Sequence, residues 1–180
     1  AEIPNNSFYM PDKAAAERAA VYTAQCMEEK DSTGGVVECV VDGMPAGVGE
    51  PCFEKLDANL AKAILSIGAV KGFEIGSGFG AAKLRGKQNN DVFVNHGKGI
   101  EKETNHAGGT LGGISDGSQI VIRAAVKPTS SIAAQQHTVN QKGENIQISV
   151  KGRHDPVIVP RAVVVVEAMT AIVLADLMAL

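Results

Sequence analysis

Tryptophan is absent, and aromatic residues make up only 4% of the chain. So few flat side chains argue against a surface that stacks bases or sugars. An excess of positive charge is also missing, because 17 Lys and Arg face 20 Asp and Glu for a formal net charge of −3. Nucleic-acid binding needs a basic face and is therefore not expected. Cysteine is scarce and odd in number: Cys26, Cys39 and Cys52 lack CxxC spacing. They read as reduced thiols of a cytoplasmic protein, not as a disulfide frame or zinc site. His96, His106, His137 and His154 have no ligand-like spacing, so no metal is expected. The first residue is Ala and no charged-then-apolar leader follows, so either the start was trimmed or the chain is a piece of something longer. The apolar run 162–180 contains Glu167 and Asp176. Charges inside a membrane span are expensive, so this run reads as a helix buried between protein layers.

What is present is enough for a core. Hydrophobic residues are 44% of 180 positions and charged residues 21%, which fits one or two folded domains. Asp12 can cap a helix running to about Lys30, with Ala16, Ala20, Thr23 and Met27 on one face. After Gly34-Gly35, the β-branched run Val36 to Val41 reads as a strand. A Gly/Pro loop (45–51) leads to a helix over 54–67, where Leu56, Leu60, Ile64 and Ile67 recur at helical spacing. A strand over 69–75 precedes a polar stretch expected to be a long hairpin or a mobile loop, with the flexible part within 80–104. Further strands are expected over 119–126 and at Ile146, Ile148 and Val150, whose alternation predicts a half-buried strand. Pro160 suits the first turn of the last helix, which is apolar nearly all round and so is expected to be central. Several consecutive strands in the second half favour α+β over a doubly wound parallel sheet.

Four stretches could carry chemistry. Gly76-Ser77-Gly78-Phe79-Gly80-Ala81 fits GxGxxA after a strand. A dinucleotide site would need an apolar helix next, and Lys83, Arg85 and Lys87 make a poor one, so a strand ending in a Gly turn is preferred. Residues 105–117 hold five Gly in thirteen positions. They permit either close backbone approach to a ligand or a tight connection between packed elements. Lys127-Pro128-Thr129-Ser130-Ser131 offers one cation and three hydroxyls, which suit a phosphate or a polar ring edge. A capped turn explains the same residues, and on their evidence alone is preferred. In Gly152-Arg153-His154-Asp155-Pro156, Arg153 and Asp155 can form a structural ion pair, or an anion clamp beside a proton-handling carboxylate.

In order, the chain carries PAGVGEP (45–51), AVKGFEIGSGF (69–79), NHAGGTLGGIS (105–115), KPTSSI (127–132) and GRHDP (152–156), then Arg161-Ala162-Val163 and Glu167-Ala168-Met169. Together these closely resemble chorismate synthase. The resemblance covers the C-terminal half of that family's chain. It implies an α+β fold, a β-α-β sandwich with helices packed between antiparallel sheets, here as a partial chain. It also implies a lyase that converts 5-enolpyruvylshikimate 3-phosphate to chorismate and phosphate by 1,4-anti elimination in the shikimate pathway. Reduced FMN is the implied cofactor; the source of its electrons, NADP included, stays open. The implied assembly of the complete protein is a homotetramer.

By the same resemblance, Gly68-Ala69, Gly112, Lys127, Pro128, Thr129, Ser130, Ser131 and Arg153 meet the flavin. Arg153 also meets the substrate, and Asp155 assists proton transfer. Many relatives have Asn where this chain has Gly68, so any side-chain contact there is lost. The family's two catalytic histidines belong to its amino-terminal portion, and His106 and His154 do not correspond to them. This chain is therefore expected to be a fragment that is inactive alone. The alternative is a non-catalytic fragment that binds flavin or an anion.

Overall fold

The computed structural model describes residues 2–179 other than His96, Lys98 and Arg153. In chain order the main elements are α1 (Lys13–Glu28), β1 (Gly35–Val41), α2 (Leu56–Leu65), β2 (Val70–Ile75), α3 (Gly86–Asn89), β3 (Phe93–Asn95), β4 (Ile100–Lys102), β5 (Thr110–Leu111), β6 (Ile114–Ser115), β7 (Ile120–Val126), β8 (Gln136–Val139), β9 (Asn145–Ile148) and α4 (Val159–Met178). The chain divides into two compact units. The first is Ala1–Gly35 with Val126–Val163; the second is Val36–Ala125 with Val164–Leu180.

In the first unit, the Asp12 carboxylate accepts from the Ala14 and Ala15 amides and so starts α1 as expected. The helix stops at Glu28, short of Lys30, whose φ of 59° takes the chain out of helical space. Its covered face runs through Ala16, Ala19, Thr23 and Cys26, while Met27 and Ala20 are exposed. The expected stripe was thus rotated by about one position at its end. Thr33 donates its amide to the Pro156 carbonyl and forms a parallel bridge with Val157. Strands β8 and β9 pair antiparallel, from Gln136 opposite Ile148 to Val139 opposite Asn145. The expected half-burial of Ile146 and Ile148 is not met: they are 39% and 45% exposed. The two strands form a ribbon with no third strand among the described residues, so alternation here has no layer to face.

The second unit is built on a three-stranded sheet in the order β1-β7-β2. Along β7 every second residue is buried (Ile120, Ile122, Ala124), the period of a strand with one covered face. Helix α2 contributes Leu56, Leu60 and Ile64, all fully buried at i, i+4, i+8. Each such side chain stabilises by about 1.5–3 kcal/mol on burial. Helix α4 buries only Val166 and Thr170, while Val164, Ile172 and Met178 stay exposed. The expectation of an all-round buried helix therefore fails in this chain. A helix laid against one layer covers one stripe, and its other apolar faces stay bare. A hydrogen bond joins Cys39 of β1 to Thr170 of α4. Burial pushes the Cys39 thiol up, against that hydrogen bond.

After Gly76 the chain makes a 3₁₀ turn over Gly78–Lys83, not the α-helix a dinucleotide site needs. Gly76 and Gly108 explain the glycines there instead. Both have positive φ, and a Cβ on either would collide with the other's backbone or the His106 carbonyl. The stretch 80–104 continues with α3 and the β3–β4 hairpin, in which Phe93 pairs with Lys102.

Candidate active site

In the first unit, the turn 127–131 leaves β7 beside the start of β1. Gly34 makes room for it, since a Cβ there would press on the Val126 carbonyl and the Pro128 ring. The Ser32 hydroxyl donates to the Thr129 carbonyl at 2.6 Å and pins the turn. Lys127, Pro128, Ser130 and Ser131 are exposed, so one ammonium and two hydroxyls are open to a ligand. The Thr129 hydroxyl differs. It is buried and has no hydrogen-bond partner among the described residues. A buried polar atom left unpaired costs about 1–3 kcal/mol, which a ligand supplying the missing partner would recover.

Asp155 lines a groove of about 170 Å³ in the same unit, with Lys30, Asp31, Ser32 and His154. The groove wall is held by the Ala134 amide on the Lys30 carbonyl (3.1 Å) and the Val150 amide on the Ile132 carbonyl (3.3 Å). A ring nitrogen of His154, Nε2, lies 3.0 Å from the Val150 carbonyl, so it carries the hydrogen. The Oδ2 of Asp155 is 2.8 Å from a guanidinium nitrogen of Arg161. The alternative partner, Arg153, lies outside the described residues.

In the second unit, Gly68 and Ala69 connect α2 to β2. Ala69 has φ 71°, a left-handed conformation that costs an ordinary residue about 1–2 kcal/mol. Such strain gathers at functional sites. Gly112 and Gly113, with φ of 61° and 90°, form the two-residue turn between β5 and β6, where Leu111 pairs with Ile114. The Gly113 carbonyl accepts from the Leu56 amide at 2.8 Å, at the start of α2. Gly112 and Ala69 thus flank opposite ends of a ten-residue helix, about 15 Å long at 1.5 Å per residue.

A cluster that the sequence reading missed holds the Gly-rich stretch in place. Lys102 Nζ lies 2.7 Å from Asp116 Oδ2 and 3.5 Å from Asp91 Oδ2, and all three side chains are at most 7% exposed. Asp91 also accepts from the amides of His106 (2.7 Å) and Ala107 (2.9 Å) and from the Thr104 hydroxyl (2.7 Å). Burial alone would raise its pKa. The two amides, the Thr104 hydroxyl and the Lys102 charge outweigh that and bring it down to about 2. Asp116 is lowered as well: burial opposes, and Lys102 with Ser118 prevails. Asn105 ties the same loop to Gly109 and to the Gln119 carbonyl. No local pattern announces this cluster: the β3–β4 hairpin brings Asp91 to Lys102, and Asp116 arrives from beyond β6, with its amide on the Gly109 carbonyl.

A family model described as chorismate synthase matches residues 1–179. The chain belongs to the chorismate synthase family. The chorismate synthase of Agathobacter rectalis is 65% identical over 175 residues, which is 97% of this chain and 48% of that protein. That of Archaeoglobus fulgidus is 58% identical over 170 residues, 94% of this chain and 47% of the relative. A crystal structure of chorismate synthase matches with a TM-score of 0.80 and 35% identity, covering 98% of this chain and 46% of that one. The chain thus spans about half the length of the curated relatives it matches. The α+β class, with helices and antiparallel pairs, is that of the family. Among the described residues no helix is long and apolar enough to cross a membrane.

Proposed function

We propose that this chain is the C-terminal half of a chorismate synthase, a lyase that turns 5-enolpyruvylshikimate 3-phosphate into chorismate and phosphate in the shikimate pathway. The observation that carries the reading is the family match across residues 1–179. The complete protein is a cytoplasmic homotetramer with reduced FMN as cofactor. When bound, reduced FMN lends electron density to the reaction and recovers it, easing loss of phosphate without net redox change.

The residues present suit that cofactor. The unpaired Thr129 hydroxyl and the exposed Ser130 and Ser131 offer hydrogen bonds to polar edges, and Lys127 offers charge to a phosphate. Pro128 stiffens the turn, and Ser32 holds it against the strand. Gly68-Ala69 and Gly112 allow backbone to lie close to a flat ring. Arg153 meets both the flavin and the phosphate-bearing substrate, because a planar guanidinium can serve two acceptors. The elimination frees one proton from carbon, and Asp155 handles it on the groove wall.

Taken alone the chain binds flavin or an anion weakly and catalyses nothing, since the family's two catalytic histidines are not in it. Anaerobic assay with substrate and reduced FMN should give no chorismate from the 180-residue chain. Adding the amino-terminal half of the protein should restore product. Turnover by the chain alone, at about 1–10³ per second, would overturn the assignment of half a site. A complete protein that makes no chorismate would overturn the functional reading itself.

A further inference from the structure

Arg161 stands where helix physics does not want it. It is the third residue of α4, inside the first turn, where the helix macrodipole is positive and a cation costs about 0.3–1 kcal/mol. Its side chain is 71% exposed, and an exposed ion pair returns only about 0–1 kcal/mol. Stability therefore gives little reason for a cation at this position. Its one charged contact among the described residues does: NH1 lies 2.8 Å from Asp155 Oδ2. Arg161 is not among the residues that line the groove, whereas Asp155 is. The guanidinium thus holds the carboxylate without itself lining the groove. Its base is firm, because the Arg161 amide donates to the Ile158 carbonyl at 3.0 Å and Pro160 fixes the preceding backbone. Among the described residues no hydrogen bond occupies the other oxygen, Oδ1.

We propose that Arg161 is the positioning residue for Asp155, holding Oδ2 so that Oδ1 stays turned to the groove and free to take a proton. The proposal rests on the functional reading above. Arg161 touches neither substrate nor flavin and acts only through the carboxylate. Among the described residues, Lys30, Asp31 and His154 are the other charged or titratable groups on the groove wall. Among the described residues none of the three makes an ion pair with Asp155; Arg161 does.

The test uses the full-length protein under anaerobic conditions at saturating reduced FMN and substrate, with Arg161→Gln, Arg161→Lys, Asp155→Asn and the double variant Arg161→Gln/Asp155→Asn. Arg161→Gln should lower kcat about tenfold, the worth of roughly 1.4 kcal/mol, while KM, FMN affinity and the melting temperature stay near wild type. Arg161→Lys should recover part of the loss, since charge returns without the planar fork. The double variant should turn over no more slowly than Asp155→Asn alone, because the grip has no other route to the reaction. Wild-type kcat in Arg161→Gln would overturn the proposal, as would losses that multiply in the double variant. A fall in FMN affinity or melting temperature that accounts for the lost turnover would also overturn it. A wild-type protein that forms no chorismate would strike the functional reading first, a result distinct from any change between variants.

Discussion

Two ionic groupings in this chain are built on opposite plans. In the second unit, Asp91, Lys102 and Asp116 are withdrawn from water and wrapped by amides and hydroxyls. In the first, Asp155 and Arg161 meet in the open, with side chains 33% and 71% exposed. A buried cluster with one cation and two carboxylates holds only while every member stays satisfied, so it fixes a loop firmly. An exposed pair adds little stability and leaves its carboxylate accessible. One grouping holds the frame of a Gly-rich turn, and the other leaves a carboxylate on the wall of a groove.

The comparison is broken most severely at the buried cation Lys102. Among the described residues it is the only cation paired with Asp91 and Asp116, and Lys102→Met should destabilise by about 3–5 kcal/mol in urea unfolding. A loss under 1 kcal/mol would show that the amides alone suffice. Asp91→Asn keeps the shape but sets an amide group against backbone donors. It should cost about 1–3 kcal/mol, with faster hydrogen exchange at the His106 and Ala107 amides. Unchanged exchange there would remove Asp91 as the anchor of the loop.

Acid should sharpen the contrast. The Asp91 pKa is held at about 2, below its ordinary 3.8, so the carboxylate stabilises the fold fully above about pH 4. That contribution, on the order of 2 kcal/mol, is lost as pH falls from 3.8 through 2. Asp91→Asn should flatten stability against pH in that window. The same slope in wild type and variant would contradict the assignment. The smallest effect is expected at the exposed pair, where Asp155→Asn should change stability by no more than about 1 kcal/mol. In the full-length protein it should nevertheless cut turnover about 10²–10⁴-fold, the usual share of general acid–base catalysis.

Much of the local structure was legible before any coordinates. Asp12 declares its helix start because capping needs only the next three amides. Leu56, Leu60 and Ile64 declare their face because burial repeats along one helix. Strand β7 was expected over 119–126, but its period-two burial is seen only in the structure, because the residues between the buried ones are mostly apolar too. What failed was information that lies outside a window. Ile146 and Ile148 alternate correctly, yet whether a layer covers them depends on other parts of a fold. Helix α4 is apolar nearly all round, but this chain buries only Val166 and Thr170 of it. The motif residues were placed by resemblance to a family, and their spacing alone left open a capped turn or a ligand site. Asp91 lay unremarked in a polar stretch, because its partners stand 11 and 25 positions on and only the fold brings them close. The partner of Asp155 was sought at Arg153; the contact described runs to Arg161, a residue noted in the sequence without a task.

The paired glycines at 76 and 108 have a consequence for how this protein can change. Ser77 to Ala107 leaves and returns through one tight seam, where neither glycine can gain a methyl group without displacing the other. Length on either side of that seam is therefore rationed, while length inside it is not. The ladder from Phe93–Lys102 to Asn95–Ile100 already closes the far end of the excursion. Residues inserted between Ser77 and Ala107 would lengthen an excursion whose two ends are held, and each doubling of a flexible connection costs only about 0.6 kcal/mol. Length can therefore be gained or lost within that excursion, while the seam beneath keeps its residue count.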